Sequence, residues 1–141
     1  MYVMICIYIG LLAAWDMCKK SIPLMVVLFG IVGGCAISFY RMAVGLVLWP
    51  EILASIVPGA FLLLLSYLTK EQIGYGDGMV LLVQGLFLGW KCAWFALVVG
   101  QLAASICVLV LLVSRKISKN ASVAYVPFLL LGTVLARVVM Q

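Results

Sequence analysis

The sequence predicts an all-α, polytopic membrane protein with about six transmembrane helices, and three observations carry that prediction. Hydrophobic residues make up 68% of the 141, charged residues only 9%, and the mean hydropathy is +1.36. Soluble domains are near half apolar and a quarter charged, and a soluble chain this short has too little interior to hide so much apolar surface. The few charged residues also cut the chain into apolar runs close to the ~20 residues a membrane helix needs. Finally, no polar linker, low-complexity tract or soluble appendage interrupts those runs, so residues 1–141 read as a single transmembrane domain.

The first span covers residues 1–15, with Cys18 as its outer limit. Its opening, "MYVMICIYIGLLAAW", has neither the basic start nor the small-x-small cleavage site of a secretory signal, so it reads as a retained helix. The second span is 24–40, where Ser21 and Pro23 are good helix-start residues. The third is 52–69. Pro50 and Glu51 suit its first turn, and Pro58 predicts a kink. The fourth is short, 78–90, or 73–90 if the "IGYGD" run enters the membrane. The fifth, 92–114, is unambiguous, and the sixth runs over roughly 121–140, with Pro127 near its start and Arg137 near its end. The loop around 42–49 is apolar too and suits the membrane interface.

Six crossings put both termini on one side. The alternating loops then place Lys19, Lys20, Lys70, Arg115, Lys116 and Lys119 on one face and Arg41, Lys91 and Arg137 on the other. The positive-inside tendency makes the richer face cytoplasmic and both termini extracytoplasmic. The net charge of +5 is thereby read as fixing orientation, with anionic lipid headgroups near the cytoplasmic basic residues, and not as a nucleic-acid surface. The five cysteines are scattered without a C-x-x-C pair and there is no histidine, which removes the usual zinc ligand sets. No metal and no cofactor is expected.

The chain has two aspartates, and both fall on the cytoplasmic face: Asp16 at the end of the first span, Asp77 at the start of the fourth. Each lies about one turn inside its apolar run, where an ionisable residue is costly and usually faces the bundle interior with a functional or pairing role. Bland explanations exist for each alone. Asp16 pairs with Lys19 or Lys20 at the headgroup boundary, or Asp77 caps the fourth helix. The shared depth and face weaken both. Two carboxylates that meet in a low-dielectric site do not both ionise easily. One then takes a proton from water while the other donates to a carbonyl oxygen, which is peptide hydrolysis without a metal or a covalent nucleophile. Gly74 and Gly76 lie just before Asp77. They offer backbone angles closed to other residues and leave room for a substrate backbone beside Asp77.

These residues resemble a known pattern. "GYGD" at 74–77 is similar to the GxGD signature of intramembrane aspartyl proteases, and "DMCKKSIP" at 16–23 resembles the first aspartate motif of the type IV prepilin peptidases. "LFLGW" at 86–90 and "YVPFLLLG" at 125–132 are similar to that family's fourth and last helices. The resemblance implies a membrane aspartyl endopeptidase, a single transmembrane peptidase domain over 1–141. It would remove the short basic leader from type IV prepilin or pseudopilin precursors at the cytoplasmic face of the plasma membrane. Asp16 and Asp77 would be its catalytic pair, and Gly74 and Gly76 its substrate-approach loop. Larger members carry an N-terminal domain with cysteine pairs and also N-methylate the product. This chain resembles the short peptidase-only members, so no methyltransferase activity is expected. Many members have a lysine two residues after the GxGD aspartate, where this chain has Met79. A preflagellin-type peptidase and a small proton or cation transporter subunit using the same aspartates are the alternatives. The helix ends at the two carboxylates further suggest Asp77 as the charged base and Asp16 as the protonated acid. Gln84 and Gln101 suggest hydrogen bonds between helices, and Gly30 with Gly34 and Gly85 with Gly89 have the spacing of close helix packing.

Overall fold

The structure is a computed structural model that describes residues 2–19, 23–69, 74–114 and 125–139. These form six helices and, among the described residues, no strand: α1 (Tyr2–Lys19), α2 (Leu24–Ala43), α3 (Trp49–Leu68), α4 (Tyr75–Leu88), α5 (Trp90–Val113) and α6 (Val126–Val139). α1, α2, α3 and α5 are long and apolar enough to cross a membrane. α4 and α6 have 14 residues each, which at 1.5 Å per residue is about 21 Å, short of a ~30 Å hydrocarbon core. Large apolar side chains cover the outside of the bundle, among them Met4, Phe29, Val32, Leu64 and Leu109. Lipid accepts such a surface and water does not.

α4 is the axis of the bundle and packs against each of the other five helices. Around it α1, α6, α5 and α3 form an arc in that order, and α2 lies on α4 outside the arc. The central position explains the composition of α4. Eight of its 14 residues are buried, and two of them are glycines that let neighbouring backbones come close. A Cβ on Gly78 would stand 3.0 Å from the Leu63 backbone nitrogen, and one on Gly85 would overlap the Ser55 carbonyl oxygen. Gly59 of α3 plays the same part toward Leu82. Where water adds no hydrophobic drive between helices, such close approach is what holds them together.

α3 begins three residues before its expected start, because Pro50 and Glu51 belong to its first turn. The Leu48 N–H donates to the Glu51 carboxylate at 3.2 Å, which satisfies one of the free donors at that end. α3 also continues through the buried Pro58 as one helix. The segment between α2 and α3 turns at Gly45, whose φ of +74° is natural only for glycine.

The C-terminal end of α4 is held by α2. The Ser38 hydroxyl donates to the Leu86 carbonyl at 2.8 Å and the Arg41 guanidinium to that of Phe87 at 3.4 Å. Gly89, with φ +89°, ends the helix there. Gly89 is therefore a helix stop and not the packing glycine its spacing from Gly85 suggested; open space surrounds the position of its missing Cβ. Gly30 and Gly34 do face a partner, with Val83 and Leu86 of α4 close to where their side chains would be. Ser38→Ala should leave the Leu86 carbonyl without its donor and cost roughly 0.5–1.5 kcal/mol, read as a lower midpoint of thermal unfolding in detergent.

Candidate active site

α1 presents one buried stripe, Ile5, Ile9, Leu12, Ala13 and Asp16, at the spacing of a single helix face. Asp16 is the last member of that stripe. Its side chain therefore turns inward with the apolar residues before it, and the residue is only 7% exposed. Lys19 does not pair with it. The Lys19 ammonium lies 4.8 Å over the ring of Trp15, on the lipid-facing side. Lys20, the other basic residue that might have explained Asp16 away, lies outside the described residues, as do Lys70, Glu71, Arg115, Lys116 and Lys119.

Asp77 stands in the first turn of α4, and it is not the cap. Gly74 holds the N-cap position, and the Asp77 N–H donates to the Gly74 carbonyl at 3.1 Å. Asp77 is 9% exposed. α1 and α4 touch, and the two carboxylates lie within electrostatic reach of each other. Both stand at the end of the bundle formed by the C-terminal turn of α1 and the N-terminal turn of α4.

The glycines before Asp77 differ from expectation in one respect. Gly74 has φ −60° and ψ 123°, which any residue adopts, and Gly76 lies within the helix. Positive φ occurs, among the described residues, only at Gly45 and Gly89. What Gly74 supplies is space, since a Cβ there would stand 2.7 Å from Oδ2 of Asp77. Gly74→Ala should therefore press on the carboxylate itself. With Asp77 as one of the expected catalytic pair, the result is a large loss of activity with little change in unfolding temperature, because the residue is exposed and its backbone angles are ordinary. Parallel measurement of peptide hydrolysis and thermal unfolding separates the two.

The third wall of the site is the start of α6, which packs on both α1 and α4. The first turn of a helix has N–H groups with no partner inside the helix. In α6 those of Phe128 and Leu129 donate to the Tyr125 carbonyl at 2.9 and 3.2 Å. Pro127 has none. The N–H of Val126 lies within electrostatic reach of the Asp16 carboxylate. The Tyr125 side chain lies within electrostatic reach of Asp77, and its hydroxyl is buried without a hydrogen-bond partner.

Among the described residues no group of three or more His, Cys, Asp or Glu side chains could hold a metal ion. A cavity of about 220 Å³ lies at the far end of α4, lined in part by Arg41, Glu51, Gly85 and Lys91, and touches neither aspartate. Arg137 is also distant from them, stacked 4.9 Å over the Tyr2 ring at the opposite end of α1.

The sequence model of the type IV leader peptidase family matches residues 3–113. The chain belongs to that family. The matched segment runs from α1 to α5 and contains Asp16 and Asp77. No curated protein and no solved structure matches the chain significantly.

Two residues beside the candidate site were not marked by the sequence. The resemblance of "YVPFLLLG" placed the start of α6 in the family pattern, but nothing there announced that the backbone N–H of Val126 would lie near Asp16. A lone tyrosine hydroxyl in an apolar run just before a helix-starting proline was the only sign of Tyr125. Gln84 and Gln101 also part company. Gln101 is exposed, while Gln84 is fully buried, two turns from Asp77 on α4, with neither side-chain polar atom hydrogen-bonded.

Proposed function

We propose that this leader peptidase hydrolyses the peptide bond after the short basic leader of type IV prepilins or pseudopilins, with Asp16 and Asp77 as its catalytic pair. The observation that carries the reading is the burial of two carboxylates, 61 residues apart in the sequence, within electrostatic reach of each other at one end of the bundle. Membership of a peptidase family favours hydrolysis over carrying a proton or cation. Preflagellin-type precursors are the second substrate class to test.

Two carboxylates that come together in an apolar site share one proton readily. Helix ends alone suggested Asp77 as the charged member. The start of α6 changes that balance, because it packs on α1 with the Val126 N–H near Asp16, and a helix N-terminus suits a carboxylate anion. Asp16 is accordingly assigned as the base and Asp77 as the acid. Asp16 takes a proton from water as the water oxygen bonds to the scissile carbonyl carbon. Asp77 gives its proton to the carbonyl oxygen, forming a gem-diol. The C–N bond then breaks, the leaving nitrogen receives a proton from Asp16, and Asp77 recovers its own from the diol. No covalent enzyme intermediate forms.

The site faces the cytoplasm in this reading, and both termini are extracytoplasmic in the plasma membrane. Among the described basic residues, Arg41, Lys91 and Arg137 lie toward the end away from the aspartates and Lys19 near them. Residues 1–141 act as one transmembrane peptidase domain, with product methylation left to other enzymes. Co-expression with a panel of prepilins and preflagellins, followed by gel shift and product mass, tests the reading. Loss of the leader without an added methyl group is expected. An uncleaved panel, with the protein inserted and folded, contradicts it.

A further inference from the structure

Tyr125 places a polar atom where the apolar surroundings give it nothing to bind. Its ring packs on the buried core, and its hydroxyl is buried and has no hydrogen-bond partner. A buried hydroxyl left unpaired is costly, and such groups in a folded chain call for an explanation. Packing does not supply one, since phenylalanine would fill the same space without the cost.

The neighbourhood supplies one. The hydroxyl lies near Gly100 of α5, where an added Cβ would stand 3.3 Å from the phenol oxygen, so the missing side chain leaves it room. It lies within reach of the Asp77 charge. The start of α6 packs on both α1 and α4, and Tyr125 and Val126 share the core cluster that holds Ala13 and Val80. The backbone N–H of Val126 is within electrostatic reach of Asp16, so this dipeptide lies beside the surroundings of both aspartates.

We propose that Tyr125 is a third catalytic residue, whose O–H donates a hydrogen bond to the carbonyl oxygen of the scissile bond. The proposal rests on the reading of Asp16 and Asp77 as the hydrolytic pair. As water attacks, negative charge grows on that oxygen. Asp77 supplies the proton that neutralises it, while Tyr125 keeps its own proton and stabilises the charge as it develops. A donor fixed in place beforehand, in a site poor in water, is worth most at that moment. The hydroxyl then has its partner only when substrate is bound, which explains why it has none in the free protein.

The test is Tyr125→Phe in the full-length protein, purified into lipid vesicles, with a prepilin that wild type cleaves. kcat should fall about 10²-fold with KM nearly unchanged, and the unfolding temperature should stay level or rise because an unpaired buried hydroxyl is gone. Asp16→Asn and Asp77→Asn run beside it. If they abolish cleavage while Tyr125→Phe keeps kcat within about twofold of wild type, this inference is overturned and the dyad stands. A drop in unfolding temperature with kcat retained overturns it equally, since it marks the hydroxyl as structural. If the aspartate variants still cleave, the dyad reading has failed and takes this inference with it.

Discussion

Asp16→Asn and Asp77→Asn should each lower the rate of leader removal by at least about 10³-fold, the scale expected when one member of a jointly acting acid and base is lost. Asparagine is the informative replacement because it keeps size and shape and removes only the ionisable oxygen. Both aspartates are buried, and neither shows an ion-pair partner among the described residues. Replacing them removes the cost of burying charge or of sharing a proton in an apolar setting. The variants should therefore unfold at the same temperature as wild type or higher. Loss of activity with gain of stability is the signature of a functional site built against the interest of the fold. A structural salt bridge predicts the reverse, since deleting one partner strands the other. Cleavage rate and unfolding midpoint on the same preparations distinguish the two.

Gly85→Ala should be the most damaging single-carbon change away from the site. An alanine in a helix interior is ordinarily better than glycine by about 0.5–1 kcal/mol. Here the added carbon overlaps the Ser55 carbonyl oxygen, which belongs to backbone and does not swing aside. α3 and α4 must move apart, and overpacking of this kind costs about 1–3 kcal/mol. The cost spreads, because α4 is in contact with every other helix and carries Asp77. Gly10→Ala is the control, since open space surrounds that position. Unfolding midpoints in detergent should drop clearly for Gly85→Ala and stay level or rise for Gly10→Ala. Equal midpoints would mean that the contact between α3 and α4 is not as close as described.

Much of this was legible in the sequence because the signals were chemical and local. Charged residues are so few that they mark span ends almost by themselves, and the observed helices begin and end near the expected points. The burial of Asp16 follows from the period of Ile5, Ile9, Leu12 and Ala13, which carries the inward face to that residue. Other features depend on which helix lies beside which, and periodicity does not report that. The spacing of Gly85 and Gly89 is the same whether both pack or one ends the helix. Gln101 and Gln84 look alike in sequence, yet α5 turns one outward while the central α4 buries the other. The approach of Val126 to Asp16 is by a backbone N–H, which every residue but proline has, so no residue type could have revealed it.

The central claim is that Asp16 and Asp77 act as one catalytic unit, and the most direct test compares single and double substitutions. Wild type, Asp16→Asn, Asp77→Asn and the double variant would be reconstituted in lipid vesicles with a cleavable prepilin, and leader release followed by mass. The account predicts that the three variants share one residual rate, because removing the second half of a broken pair costs nothing more. Losses that multiply, or a single variant that keeps substantial cleavage, would show that the aspartates act separately or that one is dispensable, and would contradict the account.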